Sequence, residues 1–178
     1  MWKTKNTKIL LEDYFLTVRK DRVELPDGAV IDDFYTVTIP DTAIVCALTA
    51  EGNVLLKTEY RYACGDEVIE CPGGMFEKDE TDPLSVAKRE LLEETGYESD
   101  DWTYLGQTLD STSKLSARVH LFLAKNCEKT GRQHLDANEH LTVTEICLER
   151  AVDMVMNGTI CANSTAHLIL KTARIMNL

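Results

Sequence analysis

The segment that most constrains the fold runs from Asp82 to Gly96, with the sequence DPLSVAKRELLEETG. Asp82 carries the short carboxylate that accepts hydrogen bonds from the free amides of a helix start. Pro83 suits the first helical position and Gly96 the residue just past the end. The spacing predicts a single helix between them. At about 100° per residue, Glu90, Glu93 and Glu94 share one face with Val86. Leu84, Ala87 and Leu91 form an adjacent apolar stripe that should pack on a sheet. Such a helix works against itself. Glu90–Glu93 and Glu90–Glu94 are like-charge neighbours, each costing roughly 0.2–0.5 kcal/mol. Glu93 and Glu94 also stand at the negative end of the helix dipole, for a further ~0.3–1 kcal/mol each. Arg89 offsets Glu93 only in part. A solvated acidic face is the plain alternative, but a divalent cation accounts for the cluster.

All-oxygen ligation favours Mg²⁺, with Mn²⁺ as a substitute, over zinc. The turn Pro72-Gly73-Gly74 leaves backbone open to close approach. A carboxylate-held cation beside such a turn suggests chemistry on a phosphate ester or anhydride.

The charge distribution agrees. The 178 residues include 30 Asp+Glu and 19 Lys+Arg, a net −11, and residues 77–101 alone hold ten acidic and three basic side chains. That acidity excludes a surface that coats polymeric nucleic acid, but not a small nucleotide arriving with a metal ion. The length suits one domain with a small accessory layer. The absence of an apolar leader or a long apolar run predicts a cytoplasmic protein without a membrane span. Six cysteines at 46, 64, 71, 127, 147 and 161 form no CxxC and read as buried reduced thiols. Neither they nor histidines 120, 134, 140 and 167 show zinc spacing.

Residues 8–25 suggest a hairpin turning near Lys20-Asp21, and Phe34–Ile39 reads as a strand. Thr42–Thr49 and Val54–Tyr60 suggest a second hairpin about Glu51-Gly52-Asn53. Val68–Cys71, Trp102–Leu109, Arg118–Ala124 and Leu141–Leu148 are further strands. Glu149–Met156 and Ser164–Met176 are closing helices. Strands on both sides of the central helix define a mixed α/β, or α+β, domain.

Gly74, five residues, Glu80, and then Arg89-Glu90-Leu91-Leu92-Glu93-Glu94-Thr95-Gly96-Tyr97 resembles the Nudix box, G-x5-E-x7-R-E-U-x-E-E-x-G-U with U a bulky apolar residue. Eight residues rather than seven separate Glu80 from Arg89, the extra one falling near Thr81-Asp82-Pro83 ahead of the helix. Outside the box, Glu59-Tyr60-Arg61-Tyr62 and Glu70-Cys71-Pro72-Gly73-Gly74 are similar to segments of the ADP-ribose pyrophosphatase branch. So are His120–Ala124, Leu135-Asp136-Ala137-Asn138-Glu139 and Gly158–Ser164. Glu59, Cys71 and Gly73 depart from that branch, which has Gln, Leu and Ala there.

The resemblance implies an α/β/α sandwich with a mixed central sheet, preceded by an antiparallel strand layer. The layer would span residues 1–40 and the hydrolase domain 41–178. It implies a homodimer paired through the N-terminal strands, and Mg²⁺-dependent hydrolysis of ADP-ribose or a related nucleotide sugar. GDP-mannose or dinucleoside polyphosphates are alternative substrates, and a non-catalytic nucleotide-sugar sensor is an alternative of another class. Carried over by position, Glu90 and Glu94 are the main metal ligands, supported by Glu93 and the carbonyl of Gly73. Arg89 orients the glutamates. The general base is Glu139, from a distal loop, or a glutamate of the box. Gly74 and Glu70 are candidates for substrate contact, Glu70 through a ribose hydroxyl or else as a cross-strand surface residue. Arg61 is a candidate for the leaving phosphate or a ribose, or an ordinary strand-end arginine. Phe34 or Tyr35 is a base-stacking or a core aromatic, and His120 is structural. Ser111-Thr112-Ser113 is a loop near the site or a polar connector. Glu94→Gln is expected to lower turnover by orders of magnitude with little loss of stability.

Overall fold

The computed structural model describes every residue except Asp136 and Asn138. It divides into two compact units, one of residues 1–41 with 109–118 and one of residues 42–108 with 119–178.

The first unit is an antiparallel sheet of three strands, β1 (Lys3–Glu12), β2 (Thr17–Glu24) and β3 (Val30–Thr38), in the order β1-β2-β3. The first turn lies at residues 13–16, where the Asp13 carboxylate accepts the amides of Phe15 and Leu16. This corrects the expected turn at Lys20-Asp21, which instead sits inside β2 opposite Thr7 and Lys8. Alternation marks a strand, but the aspartate-led turn decides where it reverses. β1 is an edge strand, exposed at all ten residues, including Ile9, Leu10 and Leu11. Phe34 packs edge-on against Trp2 with the Lys114 ammonium over its ring, and Lys20 lies over exposed Tyr35. The 111–113 segment turns back within this same unit, the Ser111 carbonyl accepting the amides of Lys114 and Leu115.

The second unit is a mixed sheet between helices. Its strands are β4 (Thr42–Thr49), β5 (Asn53–Arg61), β6 (Asp66–Glu70), β7 (Gly73–Met75), β8 (Tyr97–Glu98), β9 (Asp101–Thr108), β10 (Val119–Lys129) and β11 (Leu141–Cys147). The order is β11-β5-β4-β10-β8, with β6 on β5, β7 on β4 and β9 on β10; β4 and β10 run parallel. The helices are α1 (Pro83–Thr95), α2 (Leu148–Met156) and α3 (Asn163–Ile175).

Strand alternation sorts the core into two layers. Ala43, Val45 and Ala47 of β4 and Leu55 of β5 pack with Val86, Ala87 and Leu91 of α1. Ile44, Cys46 and Leu48, with Val54 and Leu56, pack on the opposite face with Leu148, Ala151, Leu168 and Ile169 of α2 and α3. A strand covered on both faces needs the unbroken apolar run that β4 has. Cys46, Cys71 and Cys127 are buried and Cys64, Cys147 and Cys161 exposed, all six as free thiols, so burial holds for half of them. Among the described residues, no helix is long and apolar enough to cross a membrane.

Candidate active site

The site is built where β7 meets the last two turns of α1. Asp82 caps the helix, its carboxylate accepting from the amides of Leu84 and Ser85 and the Ser85 hydroxyl, and Gly96 closes it in the left-handed conformation. The apolar stripe of Val86, Ala87 and Leu91 seats α1 on the sheet, and this fixes where the glutamates stand.

Two of the three are buried. Glu94 is 2% and Glu90 8% exposed, whereas the Glu93 side chain is 41% exposed. Each carboxylate is held by a cation. Glu94 accepts the Gly73 amide at 2.8 Å and the buried ammonium of Lys57. Glu90 and Glu93 both accept from Nη1 of Arg89, at 2.8 and 2.9 Å. Arg89 also grips Glu80, at 2.9 and 3.0 Å, and the Met75 carbonyl at 3.3 Å. The longer spacing between Glu80 and Arg89 is therefore absorbed in the loop before the helix. Glu80 also accepts the Glu77 amide, and the Arg89 guanidinium holds its carboxyl below the usual range. Hydrogen bonding to Glu80 raises Arg89 further above its ordinary value. Burial raises the Glu90 carboxyl against the pull of Arg89, and pushes Glu94 up to about 7 against the pull of Lys57.

Two glycines make the close approach possible. Gly73 has φ +151°, and a Cβ there would lie 2.3 Å from the Ala43 carbonyl oxygen. A Cβ on Gly74 would lie 2.3 Å from Oε1 of Glu90. The turn thus lies against α1 with its backbone exposed to the carboxylates, the cradle the sequence predicts. The donors are hard oxygens, as a divalent cation requires. Among the described residues, however, no three carboxylate, imidazole or thiolate side chains converge to hold an ion as they stand. Arg89 and Lys57 are the cations that pair with the glutamates here.

Lys57 was not foreseen. Only 2% exposed, it donates to the Gly73 carbonyl at 3.2 Å as well as to Glu94, with Glu59 at 3.9 Å. The signal was available: lysine follows Val54-Leu55-Leu56 in a central strand, and period-2 alternation puts it on the α1 face with Leu55. A lysine there needs an acidic partner. This pairing argues against the expectation that Glu94→Gln costs little stability, because the substitution strands a buried ammonium.

Arg61 and Glu70 meet each other, at 2.6 and 2.8 Å, and Arg61 also reaches Glu59 at 3.1 Å. His120 lies beside the Tyr104 hydroxyl, its Nδ1 3.1 Å away, and near the Phe76 ring. The segment after β10 is tied to the end of α1: Gln133 Nε2 donates to the Glu94 carbonyl at 2.7 Å and the His134 amide to that of Glu93 at 2.8 Å. Beyond it Glu139 is half-buried just before β11, while Asp136 and Asn138 of the same motif lie outside the described residues. Neither Gln133 nor His134 carried a sequence signal.

A cradle of two glycines on a capped glutamate helix, on a mixed sheet between helices, is the architecture of a phosphate-chemistry enzyme of the Nudix type. The profile described as NUDIX domain matches residues 38–158, and that described as nucleoside diphosphate sugar hydrolase N-terminal domain matches residues 2–37. The chain belongs to the Nudix family. It is 32% identical to an ADP-ribose pyrophosphatase of Bacillus subtilis (strain 168), over 83% of this chain and 79% of that one. It is 30% identical to a methanol dehydrogenase activator of Bacillus methanolicus, over 92% and 88%. It is 28% identical to a GDP-mannose pyrophosphatase of Escherichia coli (strain K12), over 96% and 95%. The fold matches a solved ADP compounds hydrolase with a TM-score of 0.84 at 16% identity, over 99% of this chain and 94% of that one.

Proposed function

We propose that this Nudix pyrophosphohydrolase cleaves the diphosphate of ADP-ribose or a related nucleoside diphosphate sugar, using Mg²⁺, with Mn²⁺ able to replace it. The observation that carries this reading is the Gly73–Gly74 turn held against buried Glu90 and Glu94 at the box spacing. The relatives named above supply the substrate class.

Glu90, Glu93 and Glu94 with the Gly73 carbonyl are the oxygen donors that would hold the cation. When bound, it supplies neutralisation of the diphosphate oxygens. The chain's own residues do the rest. Arg89 orients Glu90 and Glu93 through its fork. Gly74 lets the diphosphate approach the backbone without a side chain in the way. Arg61, braced by Glu59 and Glu70, faces a phosphate or ribose with its remaining donors, and Glu70 is a second contact for a ribose hydroxyl. Glu139, or a box glutamate, takes a proton from the attacking water. The water oxygen bonds to one phosphorus as the bond to the bridging oxygen breaks. The products are a nucleoside monophosphate and a sugar phosphate.

The two units carry a division of labour on this reading. Residues 1–40 form the pairing layer of a homodimer, with β1 meeting its copy, and 41–178 form the hydrolase domain. The exposed apolar edge of β1 supports that pairing, because such an edge is a ready template for another strand. The working compartment is the cytoplasm.

A substrate panel of ADP-ribose, GDP-mannose, ADP-glucose, NADH and diadenosine polyphosphates with Mg²⁺ or Mn²⁺ tests the reading, compared as kcat/KM. The expected result is highest kcat/KM for ADP-ribose or another nucleotide sugar. Preference for a dinucleoside polyphosphate would move the substrate class. No turnover of any substrate would favour a non-catalytic sensor.

A further inference from the structure

The ammonium of Lys57 occupies a cage made entirely of oxygen. The Gly73 carbonyl lies 3.2 Å from it, a Glu94 carboxylate oxygen is in direct contact, and a Glu59 oxygen lies at 3.9 Å. Gly73 and Glu94 are two of the donors assigned above to the metal, and the Lys57 and Glu94 side chains are each only 3% exposed. A core strand position is an unfavourable place for a lysine unless its charge is used. The preceding residue on this face of β5, Leu55, is apolar and fully buried.

We infer that Lys57 is a built-in cation, a positioning residue that takes one of the cation positions of this cradle and leaves the free enzyme holding one divalent ion fewer than its oxygen donors allow. The inference rests on the metal-dependent reading above. Its physical content is local. The ammonium neutralises Glu94 and ties the Gly73 carbonyl to the end of α1 through one side chain. The Gly73 amide closes the same loop by donating to the other oxygen of Glu94. The turn is therefore held on the helix before any ion arrives. Glu90 and the more exposed Glu93, paired to Arg89 rather than to lysine, remain the carboxylates open to an incoming ion. Glu59 fits the same scheme, since it gives the ammonium a second carboxylate on the same face of β5.

The test counts ions and does not rely on turnover. Mn²⁺ binding to the full chain without substrate is measured by electron paramagnetic resonance and calorimetry, in wild type and in Lys57→Met. Methionine keeps the length and removes the charge. The expected result is one more Mn²⁺ per chain in Lys57→Met, with a larger Mn²⁺-induced rise in melting temperature than in wild type. Equal stoichiometry in two folded proteins overturns the inference and leaves the metal-dependent reading standing. Loss of Mn²⁺ binding in Lys57→Met alone overturns the inference, and failure of the wild type to bind Mn²⁺ overturns both. Should Lys57→Met not fold, the wild type alone decides. With lysine side chains labelled in ¹⁵N, the Lys57 ammonium signal should keep its position through Mg²⁺ saturation. Its displacement to an exposed lysine shift would overturn the inference.

Discussion

Replacing Glu94 by Gln removes a charge and little else. The amide oxygen can still accept the Gly73 amide, so the loss falls on the contact with Lys57. Both side chains are 3% exposed, so solvent cannot take up the stranded ammonium. Two unit charges ~4 Å apart attract by about 4 kcal/mol at an effective dielectric of ~20. Removing one partner of a buried pair costs about 3–5 kcal/mol. Against a typical total stability of about 5–15 kcal/mol, that is a large share. With a urea slope of about 2 kcal/mol/M, the midpoint should fall by roughly 1.5–2.5 M. Urea unfolding in EDTA, followed by the fluorescence of Trp102 in β9, reads it. Adding Lys57→Met to Glu94→Gln removes the orphan charge and should restore much of the loss, because the pair's desolvation penalty goes with it. A Glu94→Gln unfolding free energy within about 0.5 kcal/mol of wild type would refute the buried pair.

The two glycines of the cradle should separate stability from activity. Gly73→Ala drives a Cβ into the β4 backbone, and with its positive φ should cost about 2–4 kcal/mol by the same unfolding assay. Gly74→Ala meets only the flexible end of Glu90, so stability should hold while kcat falls at least tenfold. Asp82→Ala removes the cap of α1 and should cost about 1 kcal/mol at pH 7. The Ser85 hydroxyl and the backbone amides hold the folded Asp82 carboxyl below its unfolded value near 3.8. Its contribution is therefore present above that value and lost as pH falls through the folded one, so the two unfolding curves should converge as pH falls below the unfolded value. Ile9→Lys with Leu11→Lys places two charges on exposed positions of β1. Light scattering should find a dimer for the wild type and a monomer for the variant; a wild-type monomer would refute the pairing.

Much of this was legible because it is local. Asp82, Pro83 and Gly96 mark α1 by capping chemistry that needs no tertiary context, and the box spacing names the glutamates and their glycines. What the sequence does not carry is where each charge ends up. Glu90, Glu93 and Glu94 look alike on a helical wheel, yet Lys57 claims one and Arg89 the other two, because the sheet brings β5 under the helix. The Lys20-Asp21 turn failed for a related reason. Alternation through residues 8–25 says strand on both sides, while the reversal is set by a single aspartate accepting two amides. Gln133 through its side-chain amide and His134 through its backbone amide reach carbonyls of α1 from far along the chain, and backbone acceptors leave no mark in the sequence.

The central claim is hydrolysis of a nucleotide diphosphate by the α1 cradle. The measurement that tests it most directly is chromatography of ADP-ribose incubated with the wild type and with Glu90→Gln, each with Mg²⁺ or EDTA. The account predicts AMP and ribose 5-phosphate in equal amounts from the wild type with Mg²⁺, none with EDTA, and a rate lower by orders of magnitude in the variant. Release of AMP by Glu90→Gln at the wild-type rate, or by the wild type in EDTA, would contradict it.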